Sequence, residues 1–246
     1  MQNIFSPLSD IFGWMMGQIY HLFANSIAEP AQVSYFALTI LAMAVISKLI
    51  TIPLMAQTTK ASAKMQALGP KTEELKKKYG YDERILQQKT QELYKEEGVS
   101  MMGCSSCLPL LIQLMLIMAL FNVLREPAKY MASTLDDFSA IAKNFFWISD
   151  LLKNDPLTWF GLPLINAISQ LGIQLFGPMR KQQQQMNKNM NMTFMLMPIM
   201  FYFISVNWAA GLLLYWVFGN ILELLYRGIA ALITRSKTHS AIEGGK

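Results

Sequence analysis

The chain has 246 residues, of which 53% are hydrophobic and only 15% are charged, and this balance argues against a soluble globular protein. The formal net charge of +5 has a meaning only once the charges are placed along the chain. The two cysteines, Cys104 and Cys107, are too few for a disulfide framework.

Long uncharged stretches predict membrane-spanning helices. A run of roughly 20 apolar residues crosses a hydrocarbon core of about 30 Å as a helix. The longest uncharged run, residues 192–222, is too long for one helix and predicts two spans that meet at Asn207. We therefore predict an all-α polytopic membrane protein with five transmembrane helices, at about residues 34–56, 107–124, 157–178, 192–206 and 208–231.

Two segments outside these spans also carry helical patterns. In residues 1–30, apolar residues such as Leu8, Phe12 and Ile19 recur at helical spacing, which predicts an amphipathic helix in the outer interface. A loosely ordered apolar leader is the alternative. Residues 57–100 show two short stripes on either side of a turn at 80–82 and predict a charged cytoplasmic helical hairpin. Its charges form either a solvated face or a mobile arm that meets partners or lipid headgroups.

The positions of the basic residues predict the orientation of the chain. Nine Lys and Arg residues fall between the first and second predicted spans, three between the third and fourth, and four near the end of the fifth span or after it. Only four fall between the second and third spans, and none precedes the first. Because cytoplasmic loops carry the Lys and Arg excess, we predict an N-terminus outside and a C-terminus in the cytoplasm. Residues 1–47 show neither a basic signal peptide nor an Arg-rich transit peptide, which favours the plasma membrane of a bacterium.

Residues that could support catalysis are sparse. The two histidines, His21 and His239, lie outside the spans, and the sequence contains neither an H-E-x-x-H pattern nor a phosphate-binding loop. Cys104 and Cys107 form a C-x-x-C pattern, but a position at the cytoplasmic end of the second span favours reduced thiols over a redox pair. We therefore expect a protein that is not an enzyme, with no catalytic residues, no metal and no cofactor.

Lys48 is the residue that most needs an explanation. It lies eight residues before Ala56 in the first predicted span, about 12 Å from the cytoplasmic end. A charge near the centre of a spanning helix costs roughly 2.5–3.5 kcal/mol on insertion scales. One interpretation is that the side chain snorkels to the interface. Because Glu223 lies near the inner end of the fifth span, we instead expect Lys48 to lack an acidic partner and to face a water-filled cavity in the inner leaflet.

Amide side chains interrupt the other predicted spans. Each alone is more often an interhelical hydrogen bond than a site, but their coincidence with Lys48 predicts a hydrophilic pocket. The residues are Gln113 in the second span, Gln170 and Gln174 one turn apart in the third with Asn166 a further turn away, and Asn220 in the fifth. The 18 methionines suit pocket walls that adapt to varied apolar partners.

Six stretches of the chain match the motifs of one protein family in order and spacing. They are residues 46–54, 64–70, 93–99, 107–113, 192–198 and 211–216, the last followed by Asn220. On these motifs the chain resembles the YidC/Oxa/Alb family of membrane protein insertases, and within it the bacterial YidC group of the Gram-positive-like type. The resemblance covers most of the chain from residue 34 to residue 227.

The resemblance implies five core helices, a cytoplasmic hairpin, and a groove that is open to the cytoplasm and to lipid but closed outside. It implies that Lys48 takes the place of the family's groove cation, and that Gln113, Gln174 and Trp216 line the groove. The implied function is that of an insertase and chaperone, which passes polar segments of client proteins through the groove and releases their apolar helices into lipid.

The implied partners are nascent membrane protein clients and the lipid bilayer, with the ribosome and the Sec translocon as further candidates and no specific nucleic acid. The alternative function is that of a small-solute transporter or a channel subunit. Against this alternative, the spans show no internal repeat, and no acid is expected to pair with Lys48.

Overall fold

The computed structural model describes residues 6–98, 104–131, 137–176 and 188–243. These residues form nine α-helices: α1 (Ser6–Ser26), α2 (Tyr35–Ala67), α3 (Gly69–Tyr79), α4 (Glu83–Glu96), α5 (Cys104–Arg125), α6 (Pro127–Tyr130), α7 (Leu162–Phe176), α8 (Lys188–Ser205) and α9 (Ala210–Glu243). One 3-10 helix and isolated β-bridges are the other regular features of the described ranges, so the prediction of an all-α protein is confirmed there. Ends of the predicted interfacial helix, hairpin and third span, at residues 1–5, 99–100 and 177–178, lie outside the described residues.

Only one segment of the described ranges, Ala210–Ile229, is long and apolar enough to cross a membrane. Four shorter apolar segments fall at the other predicted spans: Tyr35–Thr51, Ile112–Arg125, Leu162–Phe176 and Leu196–Ser205. The count of five transmembrane helices therefore stays a prediction.

The chain divides into two compact units. The first contains Met1–Leu49, Leu114–Gly177 and Leu196–Lys246, and the second contains Ile50–Gln113 and Pro178–Met195. In the second unit, α3 and α4 pack against each other across a short turn. The Asp82 carboxylate caps α4, because it accepts hydrogen bonds from the first backbone N–H groups of that helix.

Helix α9 is the element of the first unit that positions the site, because it contacts both α2 and α7. Its contacts with α2 advance together along both helices: Gly211 lies beside Ile40, Tyr215 shares a side-chain hydrogen bond with Ser47, and Glu223 pairs with Lys48. Helices α2 and α9 therefore run in the same direction. Helix α7 packs against α9 beside Asn220 and Leu224 rather than beside the residues of α9 that meet α2.

A loop between α6 and α7 holds the N-terminal end of α9 in place. The backbone N–H groups of Ala210 and Gly211 donate hydrogen bonds to the carbonyl oxygens of Lys153 and Leu151, at 2.7 and 2.8 Å. These bonds satisfy donors that the first turn of a helix otherwise leaves free. They attach α9 to the loop at a defined rotation about its own axis.

Asp155 organises this loop from within. Asp155 is only 3% exposed, and its carboxylate accepts a hydrogen bond from the indole N–H of Trp147 at 3.1 Å. The carboxylate also accepts hydrogen bonds from the backbone N–H groups of Leu157 and Leu162, and the second of these bonds caps the start of α7. At Gly161 an added Cβ would overlap the Asp155 carboxylate, so a side chain at this position would displace the carboxylate from its hydrogen bonds.

Candidate functional site

Lys48 on α2 forms an ion pair with Glu223 on α9. Lys48 Nζ lies 2.9 Å from Glu223 Oε2, and the two side chains are only 12% and 11% exposed. The expectation that Lys48 lacks an acidic partner is therefore wrong. The long lysine side chain crosses to α9 beside Gly219, where an added Cβ would lie 3.1 Å from Lys48 Cε. A side chain at position 219 would crowd this path, so the glycine lets the two charges meet.

Glu223 also binds a second cation. Its other carboxylate oxygen, Oε1, accepts hydrogen bonds from Nε and Nη2 of Arg227, with a distance of 3.1 Å from Nε. Arg227 lies one helical turn further along α9, so this pair has the i, i+4 spacing that brings side chains together on a helix. Two cations and one anion give the cluster a formal charge of +1 − 1 + 1 = +1. We call these three residues the charged cluster.

A buried polar cluster connects α9 with α7. The Asn220 side-chain amide donates hydrogen bonds to Ser169 Oγ at 2.9 Å and to Asn166 Oδ1 at 3.4 Å. All three residues are buried, and the Asn166 side-chain N–H group has no hydrogen-bond partner among the residues that the structure describes. An unsatisfied buried donor costs about 1–3 kcal/mol. We call these three residues the amide cluster.

The other predicted site residues have different surroundings. Gln170 and Gln174 are half-buried on α7 and continue the face that begins at Asn166. Trp216 is buried on α9, where its ring stacks on Trp208 and meets Phe201 edge-on, with centroids 5.4 and 5.2 Å apart.

Gln113 is half-buried on α5 and belongs to the second unit, so its place beside Lys48 stays a prediction. The structure thus brings Lys48 together with Glu223, and Asn220 together with Asn166.

Sequence reasoning missed three residues of these clusters, namely Glu223 as a partner, Arg227 and Ser169. Glu223 and Arg227 carried a signal, because they stand one helical turn apart on the predicted fifth span. Within the described ranges, no group of three His, Cys, Asp or Glu side chains is arranged to hold a metal ion. The charged cluster and the amide cluster offer electrostatic attraction and hydrogen bonding.

A model of the 60Kd inner membrane protein family matches residues 29–237 of the chain. The "Membrane protein insertase YidC" of Francisella philomiragia is 31% identical over 227 residues, which are 92% of this chain and 36% of that protein. The protein of the same name from Francisella tularensis subsp. novicida is 31% identical over 90% of this chain and 35% of its own length. The chain thus spans about a third of the length of these curated relatives.

The fold is similar to that of a solved structure. A chain described as "Active YidC insertase crystal structure with the first transmembrane domain resolved" aligns with a TM-score of 0.61 and 23% identity, over 92% of this chain and 46% of that one. The six sequence motifs, the helical fold and the match over residues 29–237 agree with one another. This chain therefore belongs to the 60Kd inner membrane protein family.

Proposed function

We propose that this protein is a membrane protein insertase of a bacterial plasma membrane, and that its partners are nascent membrane proteins and lipid. The observation that carries the proposal is the charged cluster, which places a net charge of +1 between two apolar helices. Charged side chains are expensive inside a bilayer and mark pathways for polar substrates. Membership of a family whose relatives are named insertases supports the same function.

The proposal includes five transmembrane helices, an N-terminus outside and a C-terminus in the cytoplasm. Its support is the distribution of Lys and Arg along the sequence, together with the five apolar helix segments. Helix α1 buries Phe12 and Met16 but exposes Ile11, Trp14 and Leu22, which suits a helix that lies in the outer interface. In this proposal, α3 and α4 form the cytoplasmic hairpin.

In the proposed mechanism, the polar and often acidic end of a client enters a hydrophilic groove in the inner leaflet. Lys48 attracts the acidic end, and the side chains of Gln113, Gln170, Gln174 and Asn220 replace the water that it loses, with Trp216 beside them. The apolar segment of the client moves into lipid, where each buried CH₂ group contributes about 0.8 kcal/mol.

A membrane potential that is negative inside favours the outward passage of an acidic tail by roughly 2.3 kcal/mol per charge per 100 mV. Delivery of clients by a ribosome or a Sec translocon is a further part of the proposal.

Reconstitution tests this function. Purified protein in liposomes should insert a small single-span client, so that the translocated tail becomes protected from added protease. Protein-free liposomes give the baseline. Protection no greater than this baseline, at verified protein content, would contradict the proposal.

A small-solute transporter is the rival function, and the structure weakens one argument against it. The absence of an acid to pair with Lys48 had counted against a transporter, but Glu223 is such an acid. Buried ion pairs occur along the substrate and proton pathways of transporters. Flux of small solutes from the same liposomes, without client insertion, would favour this rival.

A further inference from the structure

Each oxygen of the Glu223 carboxylate binds a different cation. Oε2 faces Lys48 on α2, and Oε1 faces Arg227 on the same helix as Glu223. The two oxygens therefore have different partners, and one contact can open while the other stays closed. If the Lys48 contact opens, Arg227 still pairs with Glu223 and keeps the released carboxylate from being an isolated buried charge, which would be costly.

We propose that Glu223 is the resident carboxylate with which an acidic residue of a client competes for Lys48, so that Glu223 limits the preference of the site for clients with acidic translocated segments. This inference rests on the proposed insertase function. Glu223 is then a second residue, beside Lys48, that responds to a client segment carrying Asp or Glu.

The exchange of one carboxylate for another explains why Glu223 affects the insertion of acidic clients in particular. A client carboxylate takes over the contact with Lys48, so the ammonium group, whose side chain is only 12% exposed, keeps an anionic partner throughout. An uncharged segment does not compete for Lys48, so its insertion does not depend on the opening of the resident pair. A basic segment meets a cluster with a net charge of +1 and is repelled.

Two matched variants, Glu223→Gln and Arg227→Gln, change the charge of the cluster in opposite directions. Glu223→Gln removes the competitor and raises the formal charge from +1 to +2. Arg227→Gln lowers it to 0 and removes the group that holds the displaced Glu223. The first variant should therefore favour acidic clients and the second should disfavour them.

The measurement uses one small single-span client in two versions, which differ only by Asp→Asn changes in the translocated tail. The readout is the ratio of the initial insertion rates of the acidic and the neutral version in liposomes. Glu223→Gln should raise this ratio roughly three- to tenfold, as expected for one partly buried charge interaction, and Arg227→Gln should lower it. A purely structural role of the cluster would slow both versions equally and leave the ratio unchanged.

An unchanged or lower ratio in folded Glu223→Gln would overturn the inference. If that variant does not fold, Glu223→Asp takes its place. Aspartate keeps the charge but is one methylene shorter, so it should compete less well for Lys48 and raise the ratio by a smaller factor. An unchanged ratio in that variant would have the same meaning. Parent protein that inserts neither version would contradict the insertase function itself, which separates the two failures.

Discussion

Substitution of Lys48 by Met tests whether the ion pair stabilises the contact between α2 and α9. Methionine keeps an unbranched stem beside Gly219 but removes the ammonium group and its 2.9 Å contact with Glu223. The loss of one partner from a buried pair costs about 3–5 kcal/mol when the other charge is left alone. Here Arg227 still pairs with Glu223, so we expect a smaller loss of about 1–2 kcal/mol in the free energy of unfolding.

The assay is a double-mutant cycle of Lys48→Met with Glu223→Gln, measured by reversible unfolding in mixed micelles. The sum of the two single losses in the free energy of unfolding should exceed the loss in the double variant by about 1–2 kcal/mol, because both substitutions remove the same contact. The matched control is Lys71→Met, which breaks a pair with Glu97 whose side chains are 57% and 39% exposed. Solvent screens that exposed pair, so its removal should matter much less.

Insertion provides the second measurement on the same variant. Lys48→Met lowers the formal charge of the cluster from +1 to 0 and should slow the insertion of a client with an acidic tail more than that of its neutral version. The reasoning would be refuted if the Lys48–Glu223 coupling were no larger than that of the exposed Lys71 pair. Equal insertion of acidic clients by variant and parent would separately exclude Lys48 from the mechanism.

Two further predictions concern packing and orientation. Gly228→Ala should raise the free energy of unfolding by about 0.5–1 kcal/mol because no described atom outside its own helix turn lies within 4 Å of the added Cβ, whereas Gly219→Ala should gain less because its Cβ meets Lys48 Cε at 3.1 Å. Equal gains would contradict the packing. In a background where the two native cysteines are replaced by serine, Phe160→Cys should react with a membrane-impermeant maleimide in intact cells and Tyr81→Cys should not, since these exposed positions lie in loops proposed for opposite sides. The reverse labelling pattern would invert the proposed orientation.

The partner of Lys48 can be predicted from the sequence when the depths of Lys48 and Glu223 are both measured from the outer ends of their spans. Lys48 lies 48 − 34 = 14 residues from the start of the first predicted span, and Glu223 lies 223 − 208 = 15 residues from the start of the fifth. Both spans run inward in the predicted topology, so the two residues reach similar depths, about 21–23 Å at 1.5 Å per residue. The distance of Glu223 from the inner end of its helix alone does not reveal this match.

The amide cluster was predictable only in part. The polar residues Asn166 and Asn220 stood out because they interrupt apolar spans. Their connection through Ser169 depends on how α7 and α9 are rotated against each other, and serine is common in membrane helices, so its role carried no distinct signal. The sequence around Asp155 carried still less of a signal, because a loop aspartate becomes a buried acceptor only when the loop closes around it.

The rotation of α9 determines which of its residues meet which neighbour. Tyr215, Gly219 and Glu223 follow at four-residue intervals and face α2, while Asn220 and Leu224 face Ser169 and Gly172 of α7. Adjacent residues of a helix point about 100° apart, so a rotation by one residue would exchange the charged face for the amide face. The backbone bonds from the start of α9 to the loop that Asp155 holds oppose such a rotation. The loop at one end of α9 thereby positions Glu223 opposite Lys48 some 13 residues further along the helix, since 223 − 210 = 13.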